Sequence, residues 1–160
     1  MIREVAIKDA EALVNIYNYY VINSTVTLDL VPFSILDFEE KIRTISRDFP
    51  FIVDEVQNEV LGYAYANTFR TKPAYKNTVE LTVYIKHAET GKQIGKKLYS
   101  KLLQQLKSQG YHVVIGGSTL PNDASVKLHE TFGFKKVAHF KEVGHKFDKW
   151  HDVGFWHLTL

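Results

Sequence analysis

Four consecutive patterns between Thr78 and Ile115 constrain the fold more than any other part of the chain. Thr78 to Ile85 alternates strictly between apolar and polar residues, which predicts a β-strand with one buried face. A glycine-bearing turn follows, and then a helix from about Gly91 to Gly110 whose apolar residues recur every four positions. Tyr111 to Ile115 is a short apolar run, typical of a strand buried on both faces. Because a helix connects the two strands, they are expected to pair in parallel.

The other predicted elements place this parallel unit in a mixed sheet. Asp9 is expected to cap one helix and Ser34 a second, which runs to about Phe49 before Pro50. The remaining predictions are strands at Ile2–Ile7, Phe51–Val56 and Val60–Ala66, a helix at Asn122–Phe132, and two strands joined by a Gly- and Lys-rich loop within Phe134–Leu160. We therefore expect one α/β domain over residues 1–160, with helices on both faces of a mixed sheet.

The composition excludes several classes of protein. The chain has 20 basic and 18 acidic residues, and this net charge of +2 is too small to predict nucleic-acid binding. It has no cysteine, which excludes disulfides, thiolate catalysis and zinc fingers. No apolar run approaches the ~18 residues of a membrane span, and the first five residues lack the apolar core of a signal peptide. We expect a cytoplasmic protein that binds neither nucleic acid nor a membrane.

The segment from Lys86 to Lys107 is strongly basic, with six lysines and a single acidic residue. Its Gly91–Gly95 turn precedes the long helix, so backbone N–H groups and the positive end of the helix dipole could bind an anion there. A phosphate-bearing cofactor is one interpretation, and a solvated lysine face is the other. The P-loop and dinucleotide-binding patterns are absent, which disfavours nucleotide hydrolysis and Rossmann redox chemistry.

Three further positions carry side chains suited to chemistry. Glu80 lies in mid-strand, where glutamate is uncommon; it is either a general base with a raised pKa or an exposed edge residue. Arg70 and Lys72 could hold a carboxylate or phosphoryl oxygen, or could simply belong to a surface loop. His129 suits proton transfer near neutral pH, although a lone helical histidine is more often structural. No pair of histidines has chelating spacing, so we expect no metal site.

Several of these segments resemble the GCN5-related N-acetyltransferases (GNAT), and the similarity covers essentially the whole chain. The shared features are the Val79–Ile85 alternation, the Gly91–Gly95 turn and the Asn122–Phe134 helix with Ser125, His129 and Gly133. Within the superfamily, the chain is similar to the phosphinothricin and methionine sulfoximine acetyltransferases. The segments that carry this closer similarity are Ile16–Asn18, Ser24–Val26, Ala74–Tyr75, Thr78–Glu80, Pro121–Glu130 and Trp150–Trp156.

This resemblance implies a GNAT fold, in which a mostly antiparallel sheet has splayed central strands. It implies transfer of acetyl from acetyl-CoA to a small amino-acid-like amine, with Glu80 as general base and His129 as general acid. Arg70, Lys72 and Tyr75 would hold the acceptor. The residues implied in acetyl-CoA binding are Thr82, Val83, Tyr84, Ile85, Thr90, Gly91, Lys92, Gln93, Ile94, Gly95, Lys96, Asn122 and Ser125.

A homodimer is also implied. The aromatic residues that could form its interface, or could instead pack in the core, are Phe140, Trp150, Phe155 and Trp156.

One segment departs from the family pattern. The usual pyrophosphate motif is Arg/Gln-x-x-Gly-x-Gly/Ala, but Thr90 stands at its first position and Gln93 at its central glycine. Both changes predict weaker acetyl-CoA binding, because Thr90 removes a strong donor and Gln93 adds a side chain. Two alternatives stay open: a CoA-binding protein without transferase activity, and an enzyme for another amine such as a polyamine, an aminoglycoside or a protein amine. Arg70 and Lys72 would repel such cationic acceptors.

Overall fold

A computed structural model describes residues 1–160 and confirms a mixed sheet with helices on both faces. The strands are β1 (Ile2–Glu4), β2 (Phe51–Val56), β3 (Glu59–Thr68), β4 (Thr78–Ile85), β5 (Val113–Leu120), β6 (Lys135–Lys146) and β7 (Lys149–Thr159). The helices are α1 (Ala10–Asn23), α2 (Ile35–Asp48), α3 (Ile94–Ser108) and α4 (Asp123–Thr131). The strand order is β1-β2-β3-β4-β5-β7-β6, and only β4 and β5 pair in parallel, as predicted.

Some element boundaries differ from the predictions for identifiable reasons. β1 ends at Glu4, before a short 3-10 turn. β5 continues to Leu120 although its second half is not apolar, because β7 pairs along its whole length. α3 starts at Ile94 rather than Gly91, since Gly91 and Gln93 both have positive φ. The connection between β6 and β7 is a two-residue turn at Phe147–Asp148, and the Gly144, Lys146 and Lys149 of the predicted Gly- and Lys-rich loop belong to the strands.

Of the two N-caps predicted for α1 and α2, only the one at Ser34 is present. The Ser34 hydroxyl accepts from the Asp37 N–H at 3.1 Å, and an Asp37 carboxylate oxygen accepts from the Ser34 N–H at 2.7 Å. This is the predicted capping box of α2. Asp9 precedes α1 but makes no side-chain cap, because its carboxylate instead accepts from the Ala6 N–H and from Arg3.

The sheet separates two cores. One lies under α1 and α2 and is rich in aromatic residues; its most buried members include Leu13, Phe38, Phe51 and Tyr63. The other lies under α3 and includes Ile52, Leu98, Leu102, Val114 and Trp156. Because neighbouring side chains of a strand point to opposite faces, Phe51 and Ile52 contribute to different cores. No helix is long and apolar enough to cross a membrane.

The feature that positions the site is a divergence between the two parallel strands. β4 and β5 pair at only three positions, of which the last joins Glu80 to Ile115. Beyond that point β4 stays paired with β3 as far as Ile85, and β5 stays paired with β7 as far as Leu120. The β5-facing edge of β4 is therefore free of strand partners after Glu80, as the predicted splay requires.

Candidate functional site

The divergence of β4 and β5 opens a cleft of about 820 Å³. Its walls come from both strands, from the loop before α3, from the first turns of α3 and α4, and from the loop between α1 and α2. The only charged side chains that line it are Glu80, Lys96 and Lys127. A single carboxylate therefore shares the cleft with two cations, which lie on α3 and α4.

Glu80 lies where the two strands separate. Its side chain is half-buried, and burial raises the pKa of the carboxyl group above its ordinary value. A Cβ atom built on Gly117 of β5 would lie 3.7 Å from Glu80 Oε1, so the carboxylate points toward the gap. Burial is the only cause of this shift, and no neighbouring side chain raises or lowers the pKa of Glu80 further. The carboxylate is therefore free to accept a proton.

The free edge of β4 forms one wall of the cleft. Thr82, Val83, Tyr84 and Ile85 all line it, as the resemblance implies for cofactor contacts. The Ile85 carbonyl, however, already accepts a hydrogen bond from the Tyr20 hydroxyl at 2.6 Å. The ring of Tyr84 packs against Tyr17, with ring centroids 4.9 Å apart. The backbone groups between Thr82 and Tyr84 are thus the ones that stay available to a ligand.

The loop before α3 has the backbone of an anion site. The first main-chain bond of the helix runs from the Lys97 N–H to the Gln93 carbonyl, so the N–H groups before it have no partner within the helix. Gln93 adopts φ 64° and ψ 11°, the left-handed conformation that favours glycine. The backbone at this position therefore keeps the left-handed conformation typical of glycine, although the residue is glutamine.

The other residues of this loop are divided between the cleft and the solvent. Thr90, Gly91, Ile94, Gly95 and Lys96 line the cleft. The Thr90 hydroxyl donates to the His87 carbonyl at 3.0 Å. Lys92 does not line the cleft; its ammonium pairs with Glu89 at 2.8 Å in an exposed ion pair.

His129 is buried on the α3/α4 face of the cleft and has partners at both ring nitrogens. The Tyr99 hydroxyl lies 2.6 Å from Nδ1, and the Ser118 hydroxyl lies 3.3 Å from Nε2. Ser118 in turn lies 2.6 Å from the hydroxyl of Ser125, which lines the cleft. The ring stacks on Trp156, with a centroid separation of 5.5 Å.

Burial lowers the pKa of His129 to about 4, so its ring is neutral near pH 7. A neutral imidazole carries a single N–H, so the general-acid role that the resemblance implies for His129 stays a prediction. The contacts with the Tyr99 and Ser118 hydroxyls fix the orientation of the ring. Burial also raises the pKa of the Tyr99 hydroxyl, which keeps that group protonated.

Sequence reasoning missed the partners of His129. Tyr99 falls within the apolar stripe of α3 and looks like an ordinary core residue. Gly116 is required beside the imidazole, because a Cβ atom there would lie 2.3 Å from Cε1 of the ring. The detectable signal was the Gly116–Gly117 pair, since glycine inside a strand often marks a close approach.

Asn122 caps α4, and its side-chain oxygen accepts from the Ser125 N–H at 3.1 Å. Asn122 and Ser125 both line the cleft, as the resemblance implies. Lys127 joins them on α4 and was not predicted. Together with Lys96, it adds positive charge to the face of the cleft opposite Glu80.

The predicted acceptor residues lie outside the cleft. Arg70, Lys72 and Tyr75 are exposed in the loop between β3 and β4. The guanidinium of Arg70 lies 5.9 Å from the centre of the Tyr75 ring. This loop follows closely after Asn67, which pairs with Glu80 across the two strands. The structure thus places the loop near the Glu80 end of β4 without bringing its cations into the cleft.

The face that carries Glu80 has an apolar lining. Trp156 packs on the His129 face, so its neighbour Phe155 points to the Glu80 face, where it would contact a Cβ on Gly117 at 3.1 Å. We call the following residues the acceptor wall, after the role we propose for them: Val26, Thr27 and Leu28 from the α1–α2 loop, with Val153 and Phe155 from β7.

The aromatic residues proposed for a dimer interface prove to be of two kinds. Trp156 is 1% exposed and belongs to the core, and Phe155 lines the cleft. Phe140 and Trp150 are 50% and 64% exposed. Only the latter two are accessible to a partner. No group of three or more His, Cys, Asp or Glu side chains is placed to hold a metal ion.

Comparison with known proteins identifies the same architecture. Residues 2–154 match the model of an acetyltransferase (GNAT) domain. The chain is 36% identical to the phosphinothricin N-acetyltransferase of Streptomyces viridochromogenes over 97% of this chain and 85% of that protein. It is 32% identical to the L-methionine sulfoximine/L-methionine sulfone acetyltransferase of Pseudomonas aeruginosa, over 99% of this chain and 94% of that one.

A solved structure gives the same result in three dimensions. A GNAT superfamily phosphinothricin acetyltransferase from Sinorhizobium meliloti, in complex with acetyl-CoA, superposes with a TM-score of 0.96. It is 30% identical in sequence, and the match covers 100% of this chain and 88% of that chain. The resemblance read from the sequence and the predicted fold class are both confirmed.

Proposed function

This chain belongs to the GNAT acetyltransferase family, and on that premise we propose that it acetylates a small amino-acid-like acceptor. The donor is acetyl-CoA, and the acceptor is an amine of the phosphinothricin or methionine sulfoximine type. The relatives named for these substrates support the choice of acceptor. The observation that carries the proposal is the unpaired carboxylate of Glu80 at the point where β4 and β5 separate.

The residues present fit acetyl-CoA. The free edge of β4 offers backbone groups to an amide-containing chain, and the N-terminus of α3 offers N–H groups to a diphosphate. Lys96 and Lys127 add positive charge, and Asn122 and Ser125 line the same cleft. When bound, acetyl-CoA supplies an acetyl group that is already activated as a thioester. The protein then has to align the acceptor amine and remove one proton from it.

Glu80 removes that proton in our proposal. An amino acid carries an ammonium group at neutral pH, and this group cannot attack until it loses a proton. The Glu80 carboxylate accepts it, directly or through a water molecule. Burial favours this step because the raised pKa makes the carboxylate a better base. The freed amine can then reach the gap beside Gly117, where the two faces of the cleft meet.

The cationic loop recognises the acceptor's acidic groups in our proposal. Arg70 and Lys72 form no ion pair within the protein, so both are free to pair with a carboxylate or phosphinate. Tyr75 already contacts Arg70 and would orient it. For these residues to contact an acceptor at Glu80, the loop would have to close over the open end of the cleft.

A homodimer is part of the proposal. The outer β6–β7 hairpin exposes several apolar side chains, namely Val137, Phe140, Val143, Phe147 and Trp150. An exposed apolar edge of this kind favours association with another chain. Sedimentation equilibrium would show a dimer, and Phe140→Ser should weaken it.

The test measures CoA thiol release from acetyl-CoA with phosphinothricin or methionine sulfoximine as acceptor. Glu80→Gln keeps the size of the side chain but removes the base, so we expect kcat/KM to fall by about 10²–10⁴-fold. The control is Glu130→Gln, an exposed glutamate on α4, which should behave like the wild type. Equal turnover by the wild type and Glu80→Gln would refute the assignment of the base.

Two other outcomes would identify the alternatives. If only cationic amines react, the enzyme serves another acceptor class. If calorimetry detects acetyl-CoA binding but no amine reacts, the protein binds CoA without transferring acetyl. A failure to bind acetyl-CoA at all would contradict both of these readings as well as the proposal.

A further inference from the structure

The loop between α1 and α2 is fastened to the far edge of the sheet by a buried lysine. Lys146, the last residue of β6, is 3% exposed, and its ammonium donates to the Thr27 carbonyl at 2.9 Å. It has no carboxylate in salt-bridge contact. Desolvation lowers the pKa of this lysine, while Asp29 opposes the shift. Burying an ammonium group is unfavourable, and Lys146 offsets this cost only with its hydrogen bond to the loop carbonyl and with the Phe147 ring, whose centroid lies 5.2 Å from the ammonium.

A second contact with the loop comes from Gly144, two residues before Lys146 in the same strand. A Cβ atom on Gly144 would lie 2.5 Å from Cδ1 of Leu28, so glycine is needed to seat the leucine against β6. The loop is also tied to α1, because the hydroxyls of Thr27 and Tyr17 lie 2.8 Å apart. Tyr17 further donates to the carboxylate of Asp29.

These contacts converge on the acceptor wall. Val26, Thr27 and Leu28 line the cleft from the loop side, and Val153 and Phe155 line it from β7. Since β6 and β7 form one hairpin, the same unit supplies one part of the wall and fixes the position of the other. The wall would lose its fixed width if the loop were released from β6.

We propose that Lys146 and Gly144 are positioning residues that set acceptor affinity and selectivity by holding Val26–Leu28 in the acceptor wall. Neither residue lines the cleft, so they act through the loop and not on the acceptor itself. This inference rests on the proposed acetyltransferase function. Selectivity between acceptors is then controlled from the β6–β7 hairpin.

The first test is Lys146→Met, which keeps much of the side chain's volume and removes its donor. We expect the KM for the acceptor to rise about tenfold, because hydrogen bonds made by charged groups are among the stronger ones. The KM for acetyl-CoA should change by less than about twofold, because α3 and α4, which carry the proposed diphosphate site and the Asn122–Ser125 cap, make no hydrogen bond to this loop. Lys146→Arg retains a donor and should recover part of the acceptor KM. The control is Lys149→Met, an exposed lysine paired with Lys146 across the turn, which should match the wild type.

The second test is Gly144→Ala, which leaves Lys146 intact and also covers the case in which Lys146→Met fails to fold. The added methyl group displaces Leu28 toward the cleft, so a bulky acceptor should lose more kcat/KM than a small one. Comparing methionine sulfoximine with glycine as acceptors measures this change in selectivity.

The outcomes separate this inference from the proposed function. If the wild type transfers acetyl and both variants keep its acceptor KM and its selectivity, the inference is wrong and the function stands. Equal increases in the KM values for acceptor and acetyl-CoA would also overturn it, because they would indicate a general structural defect. A wild type that acetylates no acceptor would instead refute the proposed function.

Discussion

On the α3/α4 face of the cleft the His129 ring has partners at both nitrogens, whereas on the opposite face the Glu80 carboxylate has none within the protein. The first face is built from backbone groups, glycines and close packing. The second is built from the Glu80 carboxylate and from apolar side chains of the α1–α2 loop and of β7. Under the proposed function, a donor that is always the same molecule would suit the first face, and an acceptor that differs between enzymes would suit a face that side chains can alter.

Two adjacent glycines offer the sharpest way to break this comparison, because they face opposite halves of the cleft. A Cβ atom on Gly116 would lie within 3.0 Å of three atoms of the His129 ring. Gly116→Ala should therefore lower the free energy of unfolding by about 3 kcal/mol or more, because a buried ring must move. Denaturant unfolding measures this loss.

Gly117→Ala is the matched partner. Its Cβ atom would meet only the Phe155 ring at 3.1 Å and Glu80 at 3.7 Å, on the open face. We expect a change in stability of less than about 1 kcal/mol, together with a higher KM for the acceptor. If both variants lost equal stability, the distinction between a packed face and an open face would be wrong.

The next expected effect is a loss of stability at acidic pH that depends on the buried His129. The pKa of His129 is about 4 in the folded protein and 6.5 in the unfolded chain, so the unfolded state binds the proton more tightly. Stability should therefore be complete above pH 6.5 and fall by about 3 kcal/mol at most as the pH drops toward 4. His129→Gln should lack this part of the slope, and exposed His112→Gln should retain it. Urea unfolding at several pH values checks this, and identical slopes in all three proteins would contradict the burial argument.

The sequence predicts the regular secondary structure around the site better than the contacts between distant segments. The alternation from Thr78 to Ile85 was enough to place Glu80 in a strand, and the resemblance placed the turn before α3. The divergence of β4 from β5 is a property of pairing between distant segments, so no local pattern shows it. The alternatives of core and interface stayed open for Trp156, and Tyr99 was not singled out, because an aromatic residue has the same local signature in a core, at a site or at an interface. Lys146 was overlooked because a lysine near a turn normally lies in solvent.

The smallest expected effect lies in the loop before α3. Gln93→Gly would relieve a non-glycine residue in the left-handed conformation and would remove a side chain next to the proposed diphosphate site. We expect acetyl-CoA to bind about two- to fivefold more tightly, with an unchanged KM for the acceptor. Gln93→Ala separates the two causes, because it shortens the side chain but keeps the strained backbone. Titration calorimetry with acetyl-CoA measures both variants, and weaker binding by Gln93→Gly would show that the glutamine contributes a contact.

The most direct measurement of the central claim is the pH dependence of kcat/KM for the acceptor in the wild type and in Glu80→Gln. A buried carboxylate that acts as the base predicts an acidic limb in which log kcat/KM falls with unit slope as the pH drops. The pKa that governs this limb should lie above the ordinary value of 4.5, because burial raises it. Glu80→Gln should lack the limb and retain acetyl-CoA binding. An unchanged limb in that variant would show that another group takes the proton.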